Sequence, residues 1–284
     1  MAAQRAVALC ADDYGLSMGV SLGILEALDV GRLTAVSALT NVDRWPAMGR
    51  ELARRRHDAD IGVHFNLTLG RPLTNMPKFA PGGVFPPLRE VIRAAMRGKL
   101  PMEEISAEID RQIDRFYAVM GRAPDHLDGH QHVHALPGVR TALFDALEKR
   151  GLTGEKLWLR DAGDRMHRIV IRGADMRKAM VVRAIGRGYR REAVTRGFLL
   201  NEGFAGFSDF DPRSDYAAQF ETYLRAPGER HLVMCHPGRV DEDLRAQDPV
   251  TVTREQELAF LLSSRFEEVM INRSASLARL RREV

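Results

Sequence analysis

Two spacings of apolar residues alternate along this chain. Short runs rich in aliphatic and β-branched residues begin with AVALCA (Ala6–Ala11), AVSALTN (Ala35–Asn41) and IGVHFNLT (Ile61–Thr68). Between them, MGVSLGILEAL (Met18–Leu28) and RWPAMGRELARRR (44–56) place apolar residues three and four apart, with Ser17 positioned to cap the first helix. A long helix over PMEEISAEIDRQIDRFYAVM (101–120), with Pro101 in its first turn, leads to HLDGHQHVH (His126–His134), at the end of a fourth strand. KLWLR (Lys156–Arg160), GFLLN (Gly197–Asn201), HLVMC (His231–Cys235) and FEEVMI (Phe266–Ile271) read as further strands.

Strands alternating with helices predict βα units and a parallel sheet. Seven or eight of them, with no repeat and no dividing linker, predict an α/β fold. Specifically, residues 1–284 are expected to form a single-domain distorted TIM-like (β/α) barrel. The Pro- and Gly-rich stretch 70–100 is long for a connection inside a domain, and is expected to be an insertion that covers the active site.

Composition narrows the class. The 284 residues are 45% hydrophobic and 28% charged, which suits a globular chain. No apolar run approaches the ~20 residues that span a bilayer, and acidic residues come too early for a signal peptide, so a cytoplasmic protein is expected. Cys10 and Cys235 are too few for a disulfide framework and read as small buried hydrophobes. A net charge of +4, spread along the chain, argues for no nucleic-acid partner. One segment departs from this balance. Residues 172–196 carry eight Arg or Lys against Asp175 and Glu192, and read as one basic amphipathic helix. Such a helix is either a solvated outer face or a peripheral contact for a membrane or lipid-linked substrate. The residues leave a homodimer open.

In parallel α/β folds, chemistry gathers at the carboxyl ends of the strands. Asp12 and Asp13 end the first strand, His64 lies in the third, four histidines crowd the fourth and His236 follows HLVMC. Each has an ordinary explanation alone: a cap, a packed ring or a turn. Together they suit one carboxylate and two imidazoles holding a divalent ion, with positions left for water and substrate. Arg160, at the end of KLWLR, is expected either to orient Asp12 or to form an exterior ion pair.

ADDYGLS, IGVHFNLTLGRPLT, HLDGHQHVH and MCHPG, in this order, resemble the motifs of the YdjC-like carbohydrate deacetylases from about residue 6 to about residue 240. The resemblance implies a metal held by Asp13, His64 and His130, with Asp12 as general base and His236 as general acid. It further implies one divalent ion, Zn or Mg, and release of acetyl from an N-acetylated amino sugar. Tyr14 stands where Phe is common and Gln131 where His is frequent; neither removes an implied ligand. Asp128, His132 and His134 are left to orient the ion, line a groove or pack, and the role of His126 is left open. A metal-dependent phosphoesterase, a sugar isomerase or a non-catalytic carbohydrate-binding protein on the same barrel is the competing expectation.

Overall fold

The computed structural model describes residues 5–281. Its strands are β1 (Arg5–Tyr14), β2 (Ala35–Ala38), β3 (Asp60–Phe65), β4 (His126–Gly129), β5 (Gly154–Leu159), β6 (Phe198–Leu200), β7 (Phe204–Ala205), β8 (His231–Cys235) and β9 (Ala275–Leu277). All strand pairs are parallel. They run in the order β6-β5-β4-β3-β2-β1-β8-β7, with β9 beside the start of β1. The curled sheet ends at β6 and β7, which do not pair with each other, so it forms an open barrel wrapped by helices.

Side-chain alternation assigns the two faces. Val7, Leu9 and Ala11 of β1, Ile61, Val63 and Phe65 of β3, and Val233 and Cys235 of β8 pack outward against the helices. Ala8, Cys10, Ala35, Trp158, Leu232 and Met234 form a smaller apolar cluster inside the curl. The two-residue period therefore carries Asp12, Ser37, His64, Asp128, Arg160 and His236 onto the same interior face. Gly62 is required in this arrangement: a Cβ there would stand 2.4 Å from the His126 ring, its neighbour across the β3–β4 ladder.

Ser17 caps the helix Met18–Asp29 by accepting from the Val20 N–H, as the sequence predicts. Two expectations fail. Phe266–Ile271 is not a strand but lies in the helix Ser264–Asn272, because its buried residues Phe266, Val269 and Met270 are three and four apart. Residues 172–196 are not one helix: Arg172 ends the helix Met166–Arg172, and Met176–Ile185 and Tyr189–Thr195 follow separately. Gly188, at φ +90°, breaks the run, and Arg172 turns inward to Asp164 at 2.5 Å.

Residues 70–100 are anchored rather than loose. The backbone N–H groups of Leu73 and Thr74 donate to Glu108, and those of Lys78 and Phe79 to Glu104. Met76, Phe79 and Phe85 are buried beneath, before the chain enters the helix Leu88–Met96. No helix among the described residues is long and apolar enough to cross a membrane.

Candidate active site

Asp12 and Asp13 pose a geometric problem, since adjacent residues of a strand point to opposite faces. Asp13 solves it with a left-handed backbone, φ +66°, where the β1–β2 register shifts between Ala11 and Tyr14. Both carboxylates thereby reach the His64 Nε2, Asp13 Oδ1 at 3.3 Å and Asp12 Oδ2 at 4.0 Å. A non-glycine residue held there stores of order 1–3 kcal/mol of strain, which the surrounding contacts must hold in place. A pair of left-handed residues, Gln131 and His132, turns the chain sharply after β4 and leaves His130 facing Asp13.

Asp13, His64 and His130 each offer one ligand atom, all within 4.8 Å of one another. Asp13 Oδ1 lies 2.8 Å from His130 Nδ1 and 3.3 Å from His64 Nε2. A cation bound at 2.0–2.2 Å sets neighbouring ligand atoms roughly 2.8–3.6 Å apart, so these spacings fit one coordination shell. Two other groupings, Cys10–His126–Asp128 and Asp12–His64–Asp128, fit less well. Their Cys10, Asp12 and Asp128 atoms already face the Arg160 guanidinium.

The electrostatics of His64 point the same way. Burial makes its imidazole harder to protonate, yet Asp128 and Asp12 outweigh this and push its pKa up to about 10. The surroundings thus call for positive charge at this ring, supplied by a proton that an incoming metal ion would displace. Asp128 Oδ1 accepts from His64 Nδ1–H at 2.6 Å, which fixes the tautomer and turns Nε2 toward Asp13. Asp128→Asn is expected to weaken metal affinity about 10–100-fold. Chelator competition on protein shown to be folded by circular dichroism measures this, and an unchanged affinity would remove Asp128 from the orienting role.

Arg160 is not an exterior ion pair. It is fully buried, with Nη1 and Nη2 each 2.6 Å from an Asp12 oxygen and Nη2 2.5 Å from Asp128 Oδ2. The fork holds Asp12 in one orientation on the interior face. Asp13 is held well below the usual carboxylate range, His130 and Arg254 together overcoming the effect of burial. Arg254, on the helix Val252–Leu262, donates Nη2–H to Asp13 Oδ2 at 2.7 Å and to Asp248 at 2.9 Å. That bond leaves Oδ1 to the histidines. Sequence reasoning missed Arg254 because nothing in VTREQ marks one arginine of a helix as facing a residue 241 positions away.

His236 follows β8 with its ring partly exposed and edge-on to Phe210. Burial lowers its pKa to about 4, against the opposing pull of Asp13 and Asp12, so the ring is neutral at rest. Its backbone N–H donates to Glu257, whose own carboxyl burial raises to about 7. The remaining histidines of the fourth strand lie around this core. His126 stacks on Trp158 at 4.2 Å and bonds Ser37; His134 donates to the Arg160 carbonyl; His132 stands edge-on to Phe204 and Phe207. Cys10 and Cys235 are both buried and unpaired.

Fold and site together define an open parallel α/β barrel whose carboxyl rim carries a buried cluster of carboxylates and imidazoles clamped by two arginines. The model of the YdjC-like protein family matches residues 6–272, and the chain belongs to that family. A chitooligosaccharide deacetylase of Escherichia fergusonii is 36% identical over 149 residues, 52% of this chain and 58% of that protein; the match spans less than two thirds of that relative. A crystal structure from Enterococcus faecalis V583, named for cellobiose-phosphate cleavage, superimposes with a TM-score of 0.75 at 23% identity over 98% of each chain. A peptidoglycan N-acetylglucosamine deacetylase gives 0.51 at 12% identity, over 97% of this chain and 86% of that one. At these identities the two structures speak for the fold.

Proposed function

We propose that this protein is a metal-dependent hydrolase that removes the acetyl group from an N-acetylated amino sugar. The observation that carries the reading is the pairing of two neighbouring aspartates with different partners: Asp13 faces His64 and His130, while Asp12 is gripped by Arg160. One carboxylate is thus free of the ligand set and fixed beside it. Membership of the YdjC-like family and the chitooligosaccharide deacetylase relative support the substrate class.

Asp13, His64 and His130 would hold the ion. Two imidazoles in the set favour zinc or a similar first-row ion over magnesium, which prefers all-oxygen shells. When bound, such an ion polarises the amide carbonyl and makes water more acidic. Asp12, oriented by both Arg160 nitrogens, accepts the proton of the attacking water. His236 is neutral at rest, so it must receive a proton before it can give one to the departing sugar nitrogen. The proton taken up by Asp12 balances the one His236 delivers, and both aspartates act electrostatically on the His236 ring. Residues 70–100, which leave the strand carrying His64, would cover the sugar.

Acetate release from N-acetylglucosamine oligomers, assayed with metal-stripped and metal-restored protein, tests the reading. Asp13→Asn and His130→Ala are expected to lose metal and activity together. Undiminished metal in either variant removes that residue from the ligand set, and phosphate release from sugar phosphates without any acetate release would replace the proposed reaction.

A further inference from the structure

Residues 165–191 contain nine Arg or Lys and a single carboxylate, Asp175, in a chain whose net charge is +4. Asp175 is spent within its own helix, accepting from the Lys178 N–H and pairing with its ammonium at 3.5 Å. Arg165, Arg177, Arg183 and Arg187 are exposed and, among the described residues, have no carboxylate partner. The same stretch exposes Met166, Val170, Ile171, Met176, Met180 and Val181. Single exposed apolar residues need no explanation, but here six of the fourteen large exposed ones among the described residues fall within sixteen residues. They sit on the short helices Met166–Arg172 and Met176–Ile185, which meet across a cleft of about 510 Å³ lined by Met166 and Met180 as well as Arg168 and Arg183. Asp161, the residue after Arg160, also lines that cleft.

We propose that this pair of helices is a docking face for an anionic lipid bilayer. Apolar side chains interleaved with unpaired guanidinium groups match the acyl boundary and the headgroup layer of such a surface together. A soluble acidic partner would use the arginines but leave the methionines and valines in water. Docking in this way sets the cleft, whose lining includes the neighbour of Arg160, against the membrane, where an acetylated sugar carried on a lipid would be presented.

Cosedimentation with phosphatidylcholine vesicles, with and without phosphatidylglycerol, tests the face independently of catalysis when run on the full-length protein and its Asp12→Asn variant. Both are expected to bind the anionic vesicles at least about tenfold more tightly than the neutral ones, with affinity falling as salt rises. Each basic residue contributes about fivefold, so the exposed double variant Arg177→Glu/Arg183→Glu is expected to bind more than about 25-fold more weakly. Met180→Ser/Val181→Ser should cost about tenfold or more while leaving the thermal midpoint unchanged. Equal binding to both vesicle types, no binding to either, or insensitivity to both double variants overturns the proposal. A concentration-dependent dimer abolished by Met180→Ser/Val181→Ser, without vesicle binding, would reassign the face to a second copy of the chain. Because Asp12→Asn should bind normally, loss of the hydrolase reading would leave this result standing.

Discussion

Asp12→Asn is expected to lower turnover about 10²–10⁴-fold while metal content stays as it is, since general-base catalysis contributes on that scale. The amide keeps the size of the carboxylate but offers Arg160 one acceptor in place of two, so some stability is lost with the ion pair, and it takes up no proton at neutral pH. Two neighbouring aspartates should therefore fail differently, Asp13→Asn through the ion and Asp12→Asn through the proton. Metal analysis beside single-turnover acetate release separates them. An Asp12→Asn protein that turns over at the parental rate would assign the proton to another group, with Glu257, already raised to about 7, next to be examined.

The second large effect is on stability. Arg160→Ala strands Asp12 and Asp128 in the barrel interior without the cation that now touches both, and breaking a buried pair by removing one partner costs about 3–5 kcal/mol. For a chain of this size that corresponds to a fall in melting temperature of roughly 6–20 °C. Arg160→Lys keeps the charge but loses the two-pronged grip on Asp12, so it should recover much of the stability and little of the turnover. Adding metal should restore part of the loss in Arg160→Ala, because a divalent ion near His64 supplies some of the missing charge. Unaltered melting of Arg160→Ala would mean that the carboxylates are neutralised by protons instead.

The elements legible in the sequence were those whose signal is local. The alternation of short aliphatic runs with helical spacings, the Ser17 cap and the crowding of histidines after the fourth strand all depend on neighbours within about ten residues. The same locality explains the errors. Phe266, Val269 and Met270 have helical spacing within a stretch that also reads as a β-rich run, and the break at Gly188 divides what charge alone presents as one helix. The separate fates of Asp12 and Asp13 lay outside this range, because a left-handed residue at position 13 is stabilised by His130 and Arg254, far away in the chain.

What the sequence determined by itself was the architecture and the inventory: a parallel α/β sheet with reactive side chains at its strand ends. The motifs by which the chain resembles its family also marked Asp13, His64 and His130 as a set. Only the tertiary structure decided the partnerships. It turned Arg160 inward onto Asp12, placed Asp128 behind His64, brought Arg254 to Asp13 and lined one cleft with Met166, Met180 and Arg183. The physical reason is that residue type and spacing fix which face of a strand or helix a side chain occupies. Which distant charge it meets there depends on how the strands curl and which helices close over them.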